Sequence, residues 1–318
     1  MTESPFTAMD REDCGLSEMS DIVIGRGPDQ VSSSAPLVSV VVPCFRMGAR
    51  LDETVTAVRA QDYPHIELVV VNDGSTDVGT LLALERARDR GAIILEQSNR
   101  GVGAALNTGI RAASGKYFLP LGDDIIDPPY VREAVHILEK QPTVGIVYCN
   151  ASFFGAIEGD WILPEFSIKT QLFRNCIFAP CLYRRGDFTA VGGMDERMVG
   201  LEDYDFIMKI LGLGRTVHKL SGQHFHYRRG EESLNDRVVA DRTREVQAHA
   251  AVIRNNIDLY RDNAELIVEH VMDLRLEADR IARERDRLLS RYHQLEAFRV
   301  SRAGRVLSRL RQFINGRI

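Results

Sequence analysis

The chain has 318 residues, 44% of them hydrophobic and 27% charged, with a formal net charge of -5. That is a globular composition, long enough for one large domain with an appendage, and it excludes a collagenous, mostly disordered or disulfide-scaffold protein. The acidic balance leaves no global basic field to attract nucleic acid.

Residues 1–36 are rich in Ser, Asp, Glu, Gly and Pro, and seven acidic residues face only Arg11 and Arg26. This stretch reads as a disordered acidic arm, interrupted by the short apolar run Ile22-Val23-Ile24. From residue 37 the pattern alternates. LVSVVVP (37–43) is a continuous β-branched run closed by Pro43, the mark of a strand buried on both faces. Leu51, Val55 and Val58 give helical spacing over 51–61. A second buried strand covers 68–71 and runs into the polar turn Asn72-Asp73-Gly74-Ser75. A helix over 78–90, a strand at AIILEQ, a small-residue helix over 104–113 and a strand at KYFLPL follow. A helix over 129–140 and the strand VGIVYCN complete the series. This β-α-β-α order predicts an α/β fold with a mostly parallel sheet sandwiched by helices.

Residues 151–230 are less regular and hold the single tryptophan, Trp161, and the acidic cluster Glu202-Asp203-Tyr204-Asp205. They read as the second half of the same domain, spanning 37–232 and closing over its ligand site. From 233 to 318 proline is absent and a seven-residue spacing runs through Val239, Val246, Ile253, Tyr260, Ile267, Leu274, Ile281, Leu288 and Leu295. Ala250, Ile257, Ala264, Val271, Ala278 and Tyr292 fall four residues later in the repeat, with Arg285 as a polar interruption. This a/d pattern predicts a helical, coiled-coil extension through which copies associate as a homo-oligomer. The competing reading is a helical pair folded back on the domain. Asn255-Asn256 and Asp262-Asn263 are the expected helix breaks.

The five cysteines (Cys14, Cys44, Cys149, Cys176, Cys181) are odd in number and form no CxxC pair, which fits a reducing cytoplasm. No apolar run reaches the roughly 18 residues of a membrane span. The first residues, MTESPFTAMDREDC, lack the basic and apolar regions of a signal peptide. After Glu296 there are six arginines (Arg299, Arg302, Arg305, Arg309, Arg311, Arg317) and no acid, interleaved with Val306, Leu307, Leu310, Phe313 and Ile314. This is either a basic amphipathic helix on an anionic membrane, at the inner face of the plasma membrane, or a partner-binding or solvated tail.

Three strand ends carry polar punctuation: Pro43-Cys44-Phe45, Asn72-Asp73-Gly74-Ser75 and Gly122-Asp123-Asp124. In a parallel α/β sheet, ligands bind beyond these ends. No GxGxxG or GxxxxGK[ST] follows the first strand, so the backbone cradles for dinucleotides and triphosphates are missing. Adjacent carboxylates suggest instead a divalent metal, Mg2+ or Mn2+, completed by ligand phosphates and water.

Five segments in order, VSVVVPCF, VVVNDGSTD, SNRGVGAALNTGIRAASGKYFLPLGDD, VGGMDE and GLEDYDFIMKI, resemble family 2 glycosyltransferases of the GT-A fold across residues 37–232. The resemblance implies an inverting, metal-dependent hexosyl transfer from a nucleotide-diphosphate sugar, typically a UDP-sugar. The acceptor would be a hydroxyl on a glycan, lipid-linked sugar or protein, as in polysaccharide biosynthesis. It places Pro43 against the nucleoside and Asp73 on the base, with helix capping as the alternative for Asp73. Asn99, Arg100 and Asn107 match a segment near the nucleoside and sugar. Asp124 and Asp123 match the metal motif, with Asp123 also near the nucleotide. Here the chain departs from the common Leu-Asp-x-Asp-Asp, reading Leu121-Gly122-Asp123-Asp124. Asp203 matches the general base and Glu202 its neighbour in the E-D motif. His226 is a candidate third metal ligand, and Arg228 and Arg229 are candidates to neutralise the leaving diphosphate. Trp161 either lines the acceptor site or packs in the core. Two other classes stay open: a sugar nucleotidyltransferase, and a catalytically weak glycosyltransferase-like scaffold that oligomerises.

Overall fold

The unbroken valine run places β1 (Val38–Cys44) at the centre of a sheet, because every second side chain on both faces must find apolar cover. Val38, Val40, Val41 and Val42 are fully buried, each contributing about 1.5–3 kcal/mol. In this computed structural model the described residues are 35–178, 180–198, 200–230 and 241–315. The acidic arm with Ile22-Val23-Ile24 and Cys14, residues 231–233 of the segment after His226, Val239 and Arg317 lie outside them.

Strand β2 (Ile66–Asp73) and β4 (Tyr117–Pro120) flank β1, both parallel to it, and β3 (Ile93–Gln97) pairs with the far edge of β2. The connections are α1 (Ala49–Arg59), α2 (Val78–Asp89) and α3 (Val102–Ala112). Asp77 starts α2 by accepting the N–H of Thr80 at 2.9 Å. The chain continues through β5 (Ile125–Ile126), α4 (Tyr130–Lys140), β6 (Val144–Gly155), β7 (Gly159–Trp161) and α5 (Ile168–Gln171). Then come β8 (Leu182–Arg184), α6 (Arg185–Val191), α7 (Glu202–Gly212) and β9 (Thr216–Arg229).

The sheet order is β3-β2-β1-β4-β8-β6-β9-β5, with β7 paired to β6. β8 runs antiparallel between β4 and β6, while β6 and β9 form a long parallel pair with three register shifts. This is the mixed, mostly parallel α/β architecture expected. The expected strands and helices of residues 37–150 are present within a few residues at their ends. β5, β7, β8, β9 and α6 are elements that the sequence pattern did not show.

Four helices follow: α8 (Arg242–Asn255), α9 (Ile257–Asp262), α10 (Ala264–Val300) and α11 (Arg302–Asn315). The first three meet at the expected breaks, Asn255-Asn256 and Asp262-Asn263, and the last two at Ser301. α8 and α9 pack on α7, with Val252 fully buried and the Tyr260 hydroxyl donating to the Leu172 carbonyl at 2.9 Å. α10 begins against α5, where Lys169 pairs with Glu269 and Asp273 and Phe173 stacks on His270 at 4.0 Å. Beyond that point it leaves the domain. Leu274, Ile281, Leu288 and Leu295 are 57–67% exposed. The heptad stripe is therefore divided: Tyr260 is spent on docking within the chain, and the positions from Leu274 onward are open. No helix among the described residues is long and apolar enough to cross a membrane.

Candidate active site

The carboxyl ends of β1, β2 and β4 define one rim. At the end of β1, Pro43 is half-buried and the chain turns through Arg46 at φ 52, a left-handed backbone that few bulky residues adopt. The turn is fixed by the Arg46 N–H, which donates to Ser75 Oγ at 3.0 Å.

Asp73 ends β2 and is 3% exposed. Its Oδ1 accepts from Gln97 Nε2 at 2.7 Å and from the Arg100 N–H at 2.9 Å, and its Oδ2 from the Gly101 N–H at 2.9 Å. The carboxylate thus pins the loop that leads into α3, while α2 is capped by Asp77. Gly74, at φ +78, passes so close beneath Asn99 that a Cβ would lie 2.7 Å from the Asn99 nitrogen, so glycine is required there. Asn99 itself is exposed on this loop. Arg100 turns away from the strand ends and pairs with Glu196. Asn107 is fully buried and staples α3 to Met194 through both its amide atoms at 2.9 Å. The sequence placed Arg100 and Asn107 beside the ligand. In the structure both residues meet the 193–196 loop, Arg100 through Glu196 and Asn107 through Met194.

Beyond β4, Asp124 is 6% exposed and accepts the Arg228 N–H at 2.9 Å. Burial, and then the negative charge of Asp123, push its carboxyl up to about 7, against the pull of the Arg228 N–H. Asp123 is more open and pairs with Arg50 of α1. Arg228 also donates from Nε to the Asp123 carbonyl at 2.9 Å, pairs with Glu53 and lies over the Phe154 ring at 4.4 Å. Arg229 ends β9 opposite Gly155.

His226 does not join this group. Its Nδ1 lies 2.7 Å from Ser152 Oγ and its Nε2 3.0 Å from Asp127 Oδ1, so both nitrogens are engaged within the chain. The expectation of a third protein ligand at His226 is corrected on that ground. Among the described residues no group of three or more His, Cys, Asp and Glu side chains is arranged to hold a metal. The pair Asp123–Asp124 still fits a hard divalent cation that takes its remaining ligands from a diphosphate and water.

The first turn of α7 supplies the other carboxylates. Gly200 at φ +86 and Leu201 at φ 61 are consecutive left-handed residues, and the second is a strained position for a leucine, costing on the order of 1 kcal/mol or more. That turn packs Glu202 against α3, its Cγ 3.8 Å from where a Cβ on Gly103 would lie. Glu202 Oε2 is buried with no hydrogen-bond partner. Burial, and then Asp203, push Glu202 up to about 7. Asp203 is also raised by burial, offset by the Tyr204 N–H. Its charge is felt at Cys181 and at Tyr183 of β8. Trp161 stacks on Phe153 at 5.1 Å and lies 5.0 Å from Tyr227, half-buried in an aromatic cluster.

The sequence reading missed Arg50, Glu53 and Glu196, the counter-charges of the rim. A charged residue one turn past a strand end, as at Arg50, is the signal that was available.

A mixed sheet with the reversed strand β8 set between β4 and β6, and carboxylates at its rim, is the GT-A glycosyltransferase fold, and known structures agree. A mannosyltransferase from Pyrobaculum calidifontis, solved in complex with GDP-Man and Mn2+, superposes with a TM-score of 0.58 at 21% identity, covering 86% of this chain and 84% of that one. TarS of S. aureus (residues 1–349) gives a TM-score of 0.53 at 20% identity over 70% of this chain and 71% of that one. The glycosyl transferase family 2 model matches residues 39–192. That segment of the domain is thus similar to glycosyl transferase family 2. An uncharacterized glycosyltransferase of Rickettsia bellii is 29% identical over 227 residues, 65% of this chain and 32% of that protein. Glycosyltransferase GlyA of Streptococcus pneumoniae is 35% identical over 147 residues, 43% of this chain and 21% of its own. The chain spans about a third or less of the length of these two relatives. Glu202 and Asp203 lie beyond the segment matched by the family model.

Proposed function

We propose that the protein is an inverting glycosyltransferase that moves a hexosyl group from a nucleotide-diphosphate sugar, UDP-linked in the favoured reading, to an acceptor hydroxyl on a glycan, lipid-linked sugar or protein. The observation that carries this reading is the carboxylate pair Asp123–Asp124 beyond β4, together with Glu202, which packs on the first turn of α3 beside the Gly101 N–H that meets Asp73 at the end of β2. Pro43, Asn99 and the loop held by Asp73 border the nucleoside. Asp124, with Asp123, would hold Mg2+ or Mn2+, which when bound supplies positive charge to the departing diphosphate. Arg228, which touches both Asp123 and Asp124, would add to that field, with Arg229 as a further candidate. Asp203 takes the proton of the acceptor hydroxyl as its oxygen bonds to the anomeric carbon. The bond from that carbon to the phosphate oxygen breaks on the opposite face, and its electron pair leaves with the nucleotide diphosphate. Glu202 orders the acceptor. The mannosyltransferase neighbour, solved with GDP-Man and Mn2+, supports a nucleotide-sugar donor and a metal. The open stripe of α10 supports assembly of copies through that helix, since apolar a/d faces need a partner.

A panel of UDP- and GDP-hexoses, with and without Mn2+, tests the reading by thermal shift and by nucleotide release. A donor at about 100 times its Kd stabilises the fold by about 2.7 kcal/mol. Release of pyrophosphate in place of nucleoside diphosphate would refute glycosyl transfer.

A further inference from the structure

Helix α11 leaves α10 at a tight corner. The Ser301 N–H donates to the Ala297 and Phe298 carbonyls at 3.1 and 3.0 Å, and Ser301 Oγ accepts the Gly304 N–H at 3.2 Å. A Cβ on Gly304 would fall 2.1 Å from the Phe298 carbonyl oxygen, so only glycine seats α11 on the end of α10. This contact turns the glycine face inward. Ala303, Val306, Leu307 and Leu310 form one stripe at i, i+3, i+4 and i+7 on another face, and all four are exposed, Val306 and Leu307 by 56% and Leu310 by 51%.

Charge tells what covers that stripe. On helical spacing, Arg302 and Arg309 border it on one side and Arg311 on the other. None of the three pairs with an acid among the described residues, and no Asp or Glu follows Glu296 in the sequence. Arg305 turns back to the Val300 carbonyl. The open stripe of α10 is different: Glu277, Asp279, Arg280, Glu284, Arg285 and Asp286 surround it with both signs, which suits pairing of like helices. Two copies of α11 would bring arginines against arginines. The complement of an apolar stripe edged only by cations is hydrocarbon beneath a dense layer of negative charge. We propose that α11 is an interfacial helix that lies on an anionic phospholipid surface.

Co-sedimentation of the full chain with phosphatidylcholine vesicles, with and without phosphatidylglycerol, at about 0.1 M salt tests this. The protein is expected to pellet only with the anionic vesicles. Arg302→Glu with Arg309→Glu should weaken partitioning at least about tenfold, as should Leu307→Glu with Leu310→Glu. Arg302→Lys with Arg309→Lys should retain it, and circular dichroism should show all variants folded. Equal binding to both vesicles, or anionic binding untouched by these changes, overturns the proposal. So does loss of self-association in the Leu307 and Leu310 variant without any vesicle binding, which would make the stripe a contact between chains.

Discussion

The side-chain amide of Asn256 donates to the buried carboxylate of Asp205 at 2.9 Å, joining the α8–α9 junction to the first turn of α7. Asn255 donates to the same oxygen at 3.1 Å, and Lys209 reaches the other at 2.8 Å. The helical extension therefore grips the helix that carries Glu202 and Asp203, two residues from the proposed base.

Removing part of that grip should be costly because Asp205 is fully buried. Asn256→Ala is expected to lower stability by about 1–3 kcal/mol, the cost of an unmade bond to a buried charge. Urea unfolding measures it. An unchanged midpoint would mean that Asn255 and Lys209 satisfy Asp205 alone.

The carboxyl of Asp124 is raised to about 7 in the fold from 3.8. The native state therefore holds this proton more tightly than the unfolded chain. The resulting stabilisation is full below the unfolded value and is lost as pH rises through about 7. Glu202, raised to about 7 from 4.5, acts in the same direction. Without metal, the protein should be more stable at pH 5.5 than at pH 8 by up to about 2 kcal/mol for each of the two groups, and Asp124→Asn should remove its share of the slope. Mn2+ affinity should run the other way, rising about tenfold per pH unit below about 7 and levelling above it. Asp124→Asn should abolish Mn2+-stimulated donor binding, and Asp123→Asn should do less harm. Urea titrations at the two pH values and calorimetric Mn2+ titrations check this. Full activity of Asp124→Asn in excess chelator would refute the metal role.

No residue of α10 is buried in the chain, so its apolar stripe can be altered without touching the core. Ile281→Glu with Leu288→Glu should leave thermal stability of the sheet domain within about 0.5 kcal/mol. Light scattering should report a smaller assembly. The same subunit count in parent and variant would assign oligomer contacts elsewhere.

The strands of the first half were legible because β1 and β2 are buried on both faces and so read as unbroken β-branched runs. β9 was not, because TVHKLSGQHFHYRR has only two fully buried positions, Leu220 and Phe225, and its polar side chains meet partners far away in sequence. His226 shows the limit most clearly. Its partners Ser152 and Asp127 are 74 and 99 residues distant, and no local pattern announces that both nitrogens are taken. Asp73 was visible as a carboxylate at a strand end. Its bonds to the Arg100 and Gly101 N–H groups reach a loop some 27 residues later, which no local pattern shows. Asp123 and Asp124 were visible as a pair, but Arg50 and Arg228, which come from opposite ends of the domain, were brought to them only by folding.

The most direct test of the account is the turnover of Asp203→Asn under saturating donor and acceptor. Loss of the base should lower the rate by at least about 100-fold, with donor affinity near that of the parent and an unaltered circular dichroism spectrum. Turnover at the parent rate would contradict the account, and so would loss of the fold, which would make Asp203 a structural cap of α7.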